Sequence, residues 1–449
     1  MKKPLFLFTL VAVASLFGAE LKDLKLKART DKPNPIDYKV NEPIAFTVTL
    51  DGVKTLPAGV KEPLRVRWTR TGDDGVTEKG ENEISLAKGF VLRTALKVPG
   101  IVRYEATLAD ADGKAFDQVV ISKYEKGINL HAGAGAETEK MSLMTKEPAD
   151  FDAFWKEAKT KLATVPVKAK VTEVTPAGQR MFKIYAVEID CFGPRPATGW
   201  MTVPADAKPG SLKAIGKFDG YNGSRFGVPR APKDGPADAI LLHVNAHGYE
   251  MTGRDQAYYT AYGKEVNGVR PGAPKRKTYA LEASDYANPR ETYFYYMAMR
   301  VMRTFDYLKS RPEWNGRDLE AEGGSQGGLQ TMWAAGLVDG LTAARPFVTW
   351  GCDIGNFVPD SPFLKNTWGV PATPNAFYFD SALHAKRVPG TCNVEITRLG
   401  LGDYTCPPRG VLLSYYLMAC PVKANLYQGS THGYVPPQPN QVFTISRNR

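Results

Sequence analysis

Gly323-Gly324-Ser325-Gln326-Gly327 constrains this chain more than any other segment. Asp318 to Gly323 reads as a short strand running into it, and Ser325 to Leu337 as a helix, rich in small residues, running out. A strand that passes into a helix through one tight turn leaves almost no room for flanking side chains, hence the glycines. The turn lifts the serine hydroxyl clear of the sheet, at a helix N-terminus whose amides favour developing negative charge. A glycine-rich chain matches G-x-S-x-G by accident fairly often, so the strand before and the helix after are what make this a nucleophile elbow.

The same rhythm extends around it. Lys213 to Asp219, Ala239 to Ala246, Phe347 to Trp350, Val394 to Gly402 and Ala424 to Gln428 read as strands. Phe294, Met297, Val301, Phe305 and Leu308 recur at helical spacing, Arg409 to Cys420 reads as a helix, and Phe151, Trp155, Ala158 and Leu162 share a face behind Asp150. The alternation predicts an α/β fold over residues 140–449, an α/β-hydrolase with a mostly parallel sheet covered on both faces. Residues 20–125 differ: short alternating segments such as Ile44 to Leu50, Leu64 to Trp68 and Val102 to Leu108 are separated by Asp-Gly turns, with no amphipathic helix. They predict a small immunoglobulin-like β-sandwich, without an internal disulfide because no cysteine precedes Cys191. Ala132-Gly133-Ala134-Gly135-Ala136 is small and featureless and predicts a linker over residues 126–139.

At the N-terminus, Lys2 and Lys3 precede an apolar run from Leu5 to Phe17, followed by Gly18 and Ala19. That layout predicts a signal peptide over residues 1–19, too short to span a bilayer, and an exported protein, periplasmic or extracellular, without stable membrane insertion. The net charge of +11 is not gathered into any basic run, which argues against nucleic acid as a partner. Five cysteines are too few to frame an exported fold. The last four leave room for one bridge, whose pairing the sequence does not give.

Chain order supplies partners for the serine: in this fold the acid follows it and the histidine comes last. Only His384 and His432 follow Ser325. His432 stands just past the last strand, where a base would hang over the elbow, while His384 lies in an irregular stretch and reads as a surface or lid residue. Asp403 ends the strand before His432; Asp353 and Asp360 come too early in the alternation. The catalytic candidates are therefore Ser325, Asp403 and His432. An oxyanion hole needs the amide after the nucleophile, Gln326, and one from the loop after the third strand. Gly220-Tyr221-Asn222-Gly223 and His247-Gly248-Tyr249 both offer one. Counting strands back from the elbow selects the first, and so the amide of Tyr221. Five histidines without ligand spacing give no sign of a metal site, and no cofactor is required.

Taken together, Gly220-Tyr221-Asn222-Gly223-Ser224-Arg225, Gly323 to Gly328, Gly402-Asp403-Tyr404-Thr405-Cys406-Pro407-Pro408 and His432 resemble the acetyl xylan esterase and cephalosporin C deacetylase family of carbohydrate esterases. The resemblance implies the same triad and oxyanion amides, a small acyl pocket, removal of acetyl groups from an acetylated poly- or oligosaccharide, and members that are often oligomeric. Four features depart from it. His247-Gly248-Tyr249 stands where Arg-Gly-Gln is expected, Gly433 follows His432 in place of Glu, no closing helix follows, and Glu320 and Glu322 sit in a strand that should be apolar. Two other readings remain open on sequence: a serine peptidase of the same fold, and a non-catalytic glycan-binding protein with a degenerate hydrolase domain.

Overall fold

Side chains along Leu319–Gly323 alternate in character, and that alternation shows how the second half is built. Leu319 and Ala321 are fully buried in the core, whereas Glu320 and Glu322 point the other way. The computed structural model describes residues 20–122, 125–221, 226–266, 279–356, 370–435 and 442–448. The leader expected at 1–19 and Asn222–Arg225 of the Gly220 motif lie outside them.

The N-terminal strands are β1 (Lys25–Thr30), β2 (Ile44–Asp51), β3 (Leu64–Gly72), β4 (Thr77–Ile84), β5 (Phe90–Thr94), β6 (Gly100–Ala109), β7 (Val120–Ser122), β8 (Glu125–Lys126) and β9 (Asn129–Ala136). They form an antiparallel sheet β1-β2-β5 and a second, β4-β3-β6-β9, with β7 and β8 paired apart. Phe46, Val48 and Leu92 from the first sheet and Val66, Tyr104 and Ala134 from the second share one core.

The stretch expected as a linker is strand β9, paired with β6 along its whole length. Ala132, Ala134 and Ala136 enter the N-terminal core, while a Cβ on Gly133 would come within 2.4 Å of the Leu401 carbonyl oxygen in the second half. The residues are small because both sides are closely packed, not because the chain is free there.

The second half holds one sheet of β10 (Ala169–Glu173), β11 (Phe182–Ile189), β12 (Ala197–Pro204), β13 (Leu212–Phe218), β14 (Ala239–Asn245), β15 (Trp314–Gly324), β16 (Ala343–Phe347), β17 (Asn393–Gly400), β18 (Val422–Tyr427) and β19 (Val442–Arg447). Their order is β10-β11-β12-β14-β13-β15-β16-β17-β18-β19. The five central junctions, from β14 to β18, are parallel and the four outer ones antiparallel, so the sheet is mixed rather than mostly parallel. Short connections at β10–β12 and the return of the chain after His432 as β19 account for the difference.

The helices are α1 (Phe151–Ala163), α2 (Gln256–Val266), α3 (Tyr293–Lys309), α4 (Gln326–Leu337), α5 (Ser381–Ala385) and α6 (Pro408–Leu417). All but α2 form a contiguous layer on one face of the sheet and share its core with Ala214, Phe218, Leu319, Ala321 and Ile396. Helix α2 instead joins a separate cluster with Trp200, Phe226 and Tyr249. The opposite face of β13 to β18 carries Lys213, Lys217, Glu320, Glu322, Arg345, Phe347, Glu395 and Lys423, and among the described residues no helix of the layer lies on it. The expected cover on both faces is absent there. The same fact explains the two glutamates: Glu322 pairs with Lys217 at 3.1 Å and Glu320 with Arg345.

Candidate active site

Ser325 joins β15 to α4 with φ 59° and ψ −119°, a conformation few L-residues adopt. The turn is closed by close packing of a neighbouring strand's backbone and one aromatic ring. A Cβ on Gly327 would lie 2.2 Å from the carbonyl oxygen of Phe218, and one on Gly324 would lie 2.1 Å from the ring of Phe347. The neighbouring strand end holds the serine in place: its amide donates to the Phe347 carbonyl at 3.0 Å, and its carbonyl accepts from Trp350 N at 3.1 Å. Backbone strain localised on one residue at a strand-to-helix turn is the geometry expected of a nucleophile elbow.

Asp403 is fully buried, and its carboxylate has three donors. Oδ1 accepts from the amides of Thr405 at 2.8 Å and Cys406 at 2.9 Å, and Oδ2 meets His432 Nδ1 at 3.1 Å. With the proton on Nδ1 facing the carboxylate, Nε2 is the basic nitrogen. The histidine loop is tied to the acid loop: Gly402 N donates to the Ser430 carbonyl at 3.1 Å, and Arg398 Nη2 donates to the His432 carbonyl at 3.2 Å. Ser325 and His432 line one cavity of about 690 Å³ together with Gly220 and Tyr221.

Cys406 is a neighbour that the sequence offered only as part of a motif. Its sulfur, the Asp403 carboxylate and the His432 ring place their donor atoms within 4.8 Å of one another. Burial, seconded by the charge of Asp403, pushes the thiol well above its ordinary pKa, against a smaller opposing effect of a hydrogen bond with Ser325. These three residues are of metal-binding type. The Asp403 carboxylate there is already shared among three donors, so the cluster reads as part of the hydrogen-bonded network around Asp403.

The two proposed oxyanion residues are linked through one tyrosine. Tyr221 stacks on Tyr279 at 4.5 Å, its hydroxyl accepts from Tyr279 N at 3.0 Å, and the Tyr279 hydroxyl donates to Gln326 Oε1 at 2.6 Å. Gln326 opens α4, where a first-turn amide has no acceptor within its own helix. His247, in the rival loop, is buried in a cluster with Phe226, Tyr249, Tyr279 and Tyr293 and does not line the cavity.

The other candidates fall elsewhere. His384, expected at the surface, is fully buried, its ring 5.2 Å from Phe151 and 5.3 Å from Trp155, and burial pushes its pKa down to about 3. It fills a gap between α5 and α1, which an irregular-looking sequence did not reveal. Asp353 accepts from the amides of Met144 and Thr145, both at 2.8 Å, and pairs with Arg409, so its role is structural. Asp360 lies outside the described residues. All five cysteines are free thiols, so the room left for a bridge is not used.

The N-terminal unit reaches the acid directly. Arg103, on β6 and 2% exposed, donates from Nη1 to the Asp403 carbonyl at 2.9 Å, and its guanidinium lies 4.0 Å from the centre of the Tyr404 ring. Gln428 exchanges two hydrogen bonds of 2.8 Å with the backbone of Gly133 on β9. A Cβ on Gly402 would come within 2.4 Å of His131. The loop that carries Asp403 is therefore clasped by the N-terminal unit.

Residues 137–358 match the model of the acetyl xylan esterase (AXE1) family. Over this stretch the chain is similar to the acetyl xylan esterase family. The match takes in Tyr221, Ser325 and Gln326 but ends before Asp403 and His432. An acetyl esterase of Xylanibacter ruminicola is 26% identical over 308 residues, 65% of this chain and 65% of that protein, just under two thirds of its length. Solved acetyl xylan esterases from Paenibacillus sp. R4 and Thermoanaerobacterium sp. JW/SL YS485 are 21% and 16% identical, each with a TM-score of 0.51 over 67% of this chain and 94% of the other. At those identities they show the fold alone, the α/β-hydrolase type with a large mixed sheet.

Proposed function

We propose that this chain is a serine esterase that removes acetyl groups from O-acetylated carbohydrates through an acyl-enzyme. The observation that carries the reading is the Asp403–His432 hydrogen bond of 3.1 Å beside the cavity into which the strained turn presents Ser325. His432 takes the hydroxyl proton as Ser325 Oγ bonds to the ester carbonyl carbon, whose oxygen becomes an oxyanion facing the amides of Tyr221 and Gln326. Collapse breaks the bond to the sugar oxygen, which leaves with the proton from His432. Water, deprotonated by the same ring, then releases acetate. Asp403 orients the imidazole and balances its charge.

The match to acetyl esterases supports the acetyl group and the sugar. The charged leader-like stretch from Lys2 to Ala19 supports export to the periplasm or beyond. The shared core of the two N-terminal sheets supports an immunoglobulin-like sandwich, ending where the esterase match begins.

Hydrolysis of acetyl, butyryl and octanoyl esters by wild type and Ser325→Ala tests the reading. Wild type is expected to favour acetate, and the alanine variant to lose at least ~10³-fold in kcat. Wild-type turnover by Ser325→Ala, or cleavage of peptide amides in preference to acetyl esters, would overturn it. Fractionation of expressing cells checks the location.

A further inference from the structure

The cavity at Ser325 is closed on two sides. Toward the helices lies the hydrophobic core, and toward the N-terminal unit lie the buried Asp403, Cys406 and Arg103. Its remaining wall runs onto the sheet face that, among the described residues, the helix layer does not cover, through Phe347, Arg345, Lys217, Glu322 and Thr397. An ester seated on Ser325 must place its alcohol portion somewhere, and about 690 Å³ is far more than an acetyl group needs.

Phe347 is 37% exposed, although it is the ring that packs over Gly324. Its position is set by backbone: it follows Arg345 and Pro346 at the end of β16, its carbonyl holds Ser325 N, and the next residue, Val348, has φ 39°. A β-branched residue in that region is strained, and the strain keeps the chain turning at the cavity rim. Around the ring the lining alternates donors and acceptors. Lys217 and Glu322 pair at 3.1 Å with side chains 43% and 32% exposed, and Arg345 bonds Glu320. Exposed pairs of this kind add little stability, so their groups can exchange partners with a ligand at small cost.

We propose that a pyranose ring of the acetylated sugar chain lies on Phe347, with its hydroxyls hydrogen-bonded to Lys217, Glu322 and Arg345 on the uncovered sheet face. A sugar ring offers an apolar C–H face and a polar rim, and this wall offers one exposed aromatic ring bordered by charged hydrogen-bonding groups. A long acyl chain or an apolar alcohol would leave those charges unmatched. The assignment rests on the esterase reading and adds the residues that hold the alcohol side.

The test compares an acetylated xylo-oligosaccharide with ethyl acetate, whose alcohol is too small to reach Phe347. Lys217→Ala is expected to raise KM for the oligosaccharide about five- to tenfold while moving kcat/KM for ethyl acetate less than twofold; Phe347→Ala, whose ring also packs against the Ser325 turn, is expected to lose more on the oligosaccharide than on ethyl acetate, and Phe347→Tyr to restore the oligosaccharide KM. Lys217→Ala removes only an exposed pair, so it remains informative should the Phe347 variant fold poorly. An equal loss on both substrates would make Phe347 a mere support for Ser325 and overturn the assignment. Unchanged oligosaccharide kinetics in both variants would do the same. Wild type inert toward ethyl acetate and oligosaccharide alike would instead sink the esterase reading beneath it.

Discussion

The two sides of the Ser325 cavity are built on opposite plans. On the acid side, Asp403 is fully buried, takes three hydrogen bonds at its carboxylate, and has its carbonyl held by Arg103 from a different unit of the chain. On the outer side of Ser325, Phe347, Lys217 and Arg345 are partly exposed on a sheet face that, among the described residues, the helix layer does not cover. Groups that must keep one geometry through every turnover are buried and over-determined, while groups that meet a variable partner are exposed and loosely paired. On the proposed mechanism the contrast gives the N-terminal unit a part in the reaction, because its Arg103 completes the wall behind Asp403.

The largest effect that would sharpen this contrast is at the acid itself. Asp403→Asn is expected to lower kcat about 10⁴-fold by favouring the wrong imidazole tautomer, with the folded state retained, as checked by ester kinetics alongside circular dichroism. Next comes the clasp. Arg103→Ala leaves the Asp403 carbonyl without that donor and is expected to lower kcat for ethyl acetate about tenfold with KM unchanged, and to cost roughly 1–3 kcal/mol in denaturant unfolding. Kinetics like wild type in a folded Arg103→Ala would break the comparison, because the N-terminal unit would then be a passive neighbour. The smallest effect belongs to the helix face. His384 has its pKa pushed down to about 3 by burial, below its unfolded value of about 6.5, so the unfolded chain binds the extra proton first. Its contribution is fully present above about pH 6.5 and is lost as pH falls toward 3, at most about 1.4 kcal/mol per pH unit. Urea unfolding of wild type and His384→Phe across pH 7 to 4 checks this, the variant being expected to show a shallower decline.

Much of the candidate site was legible because it is local or ordered along the chain. Ser325 was readable from glycines that a strand-to-helix turn requires, and Asp403 and His432 from their places at successive strand ends. The strand count that favoured Tyr221 over His247 agrees with β13 lying beside β15 and with Tyr221 at the cavity. Errors arose where one pattern serves two physical causes. Alternating Gly and Ala reads as a free linker, yet the same residues let β9 pack against two cores at once. His384 looked like a loop residue because five residues of α5 are too short to show a period. Glu320 and Glu322 were noticed as misfits in a central strand, and the misfit was the trace of the uncovered face.

By itself, the sequence determined the alternation of strands and helices, the tight turn at Ser325 and the candidate set of Ser325, Asp403 and His432 in chain order, because each rests on neighbours a few residues apart or on succession along the chain. Only the tertiary structure decided that Arg103 would reach Asp403 across 300 residues, that Cys406 would lie beside Ser325 and His432, and that, among the described residues, no helix of the layer would cover one face of the sheet beside Ser325. Those contacts join segments whose local patterns carry no sign of one another, so they exist only once the two cores have packed together.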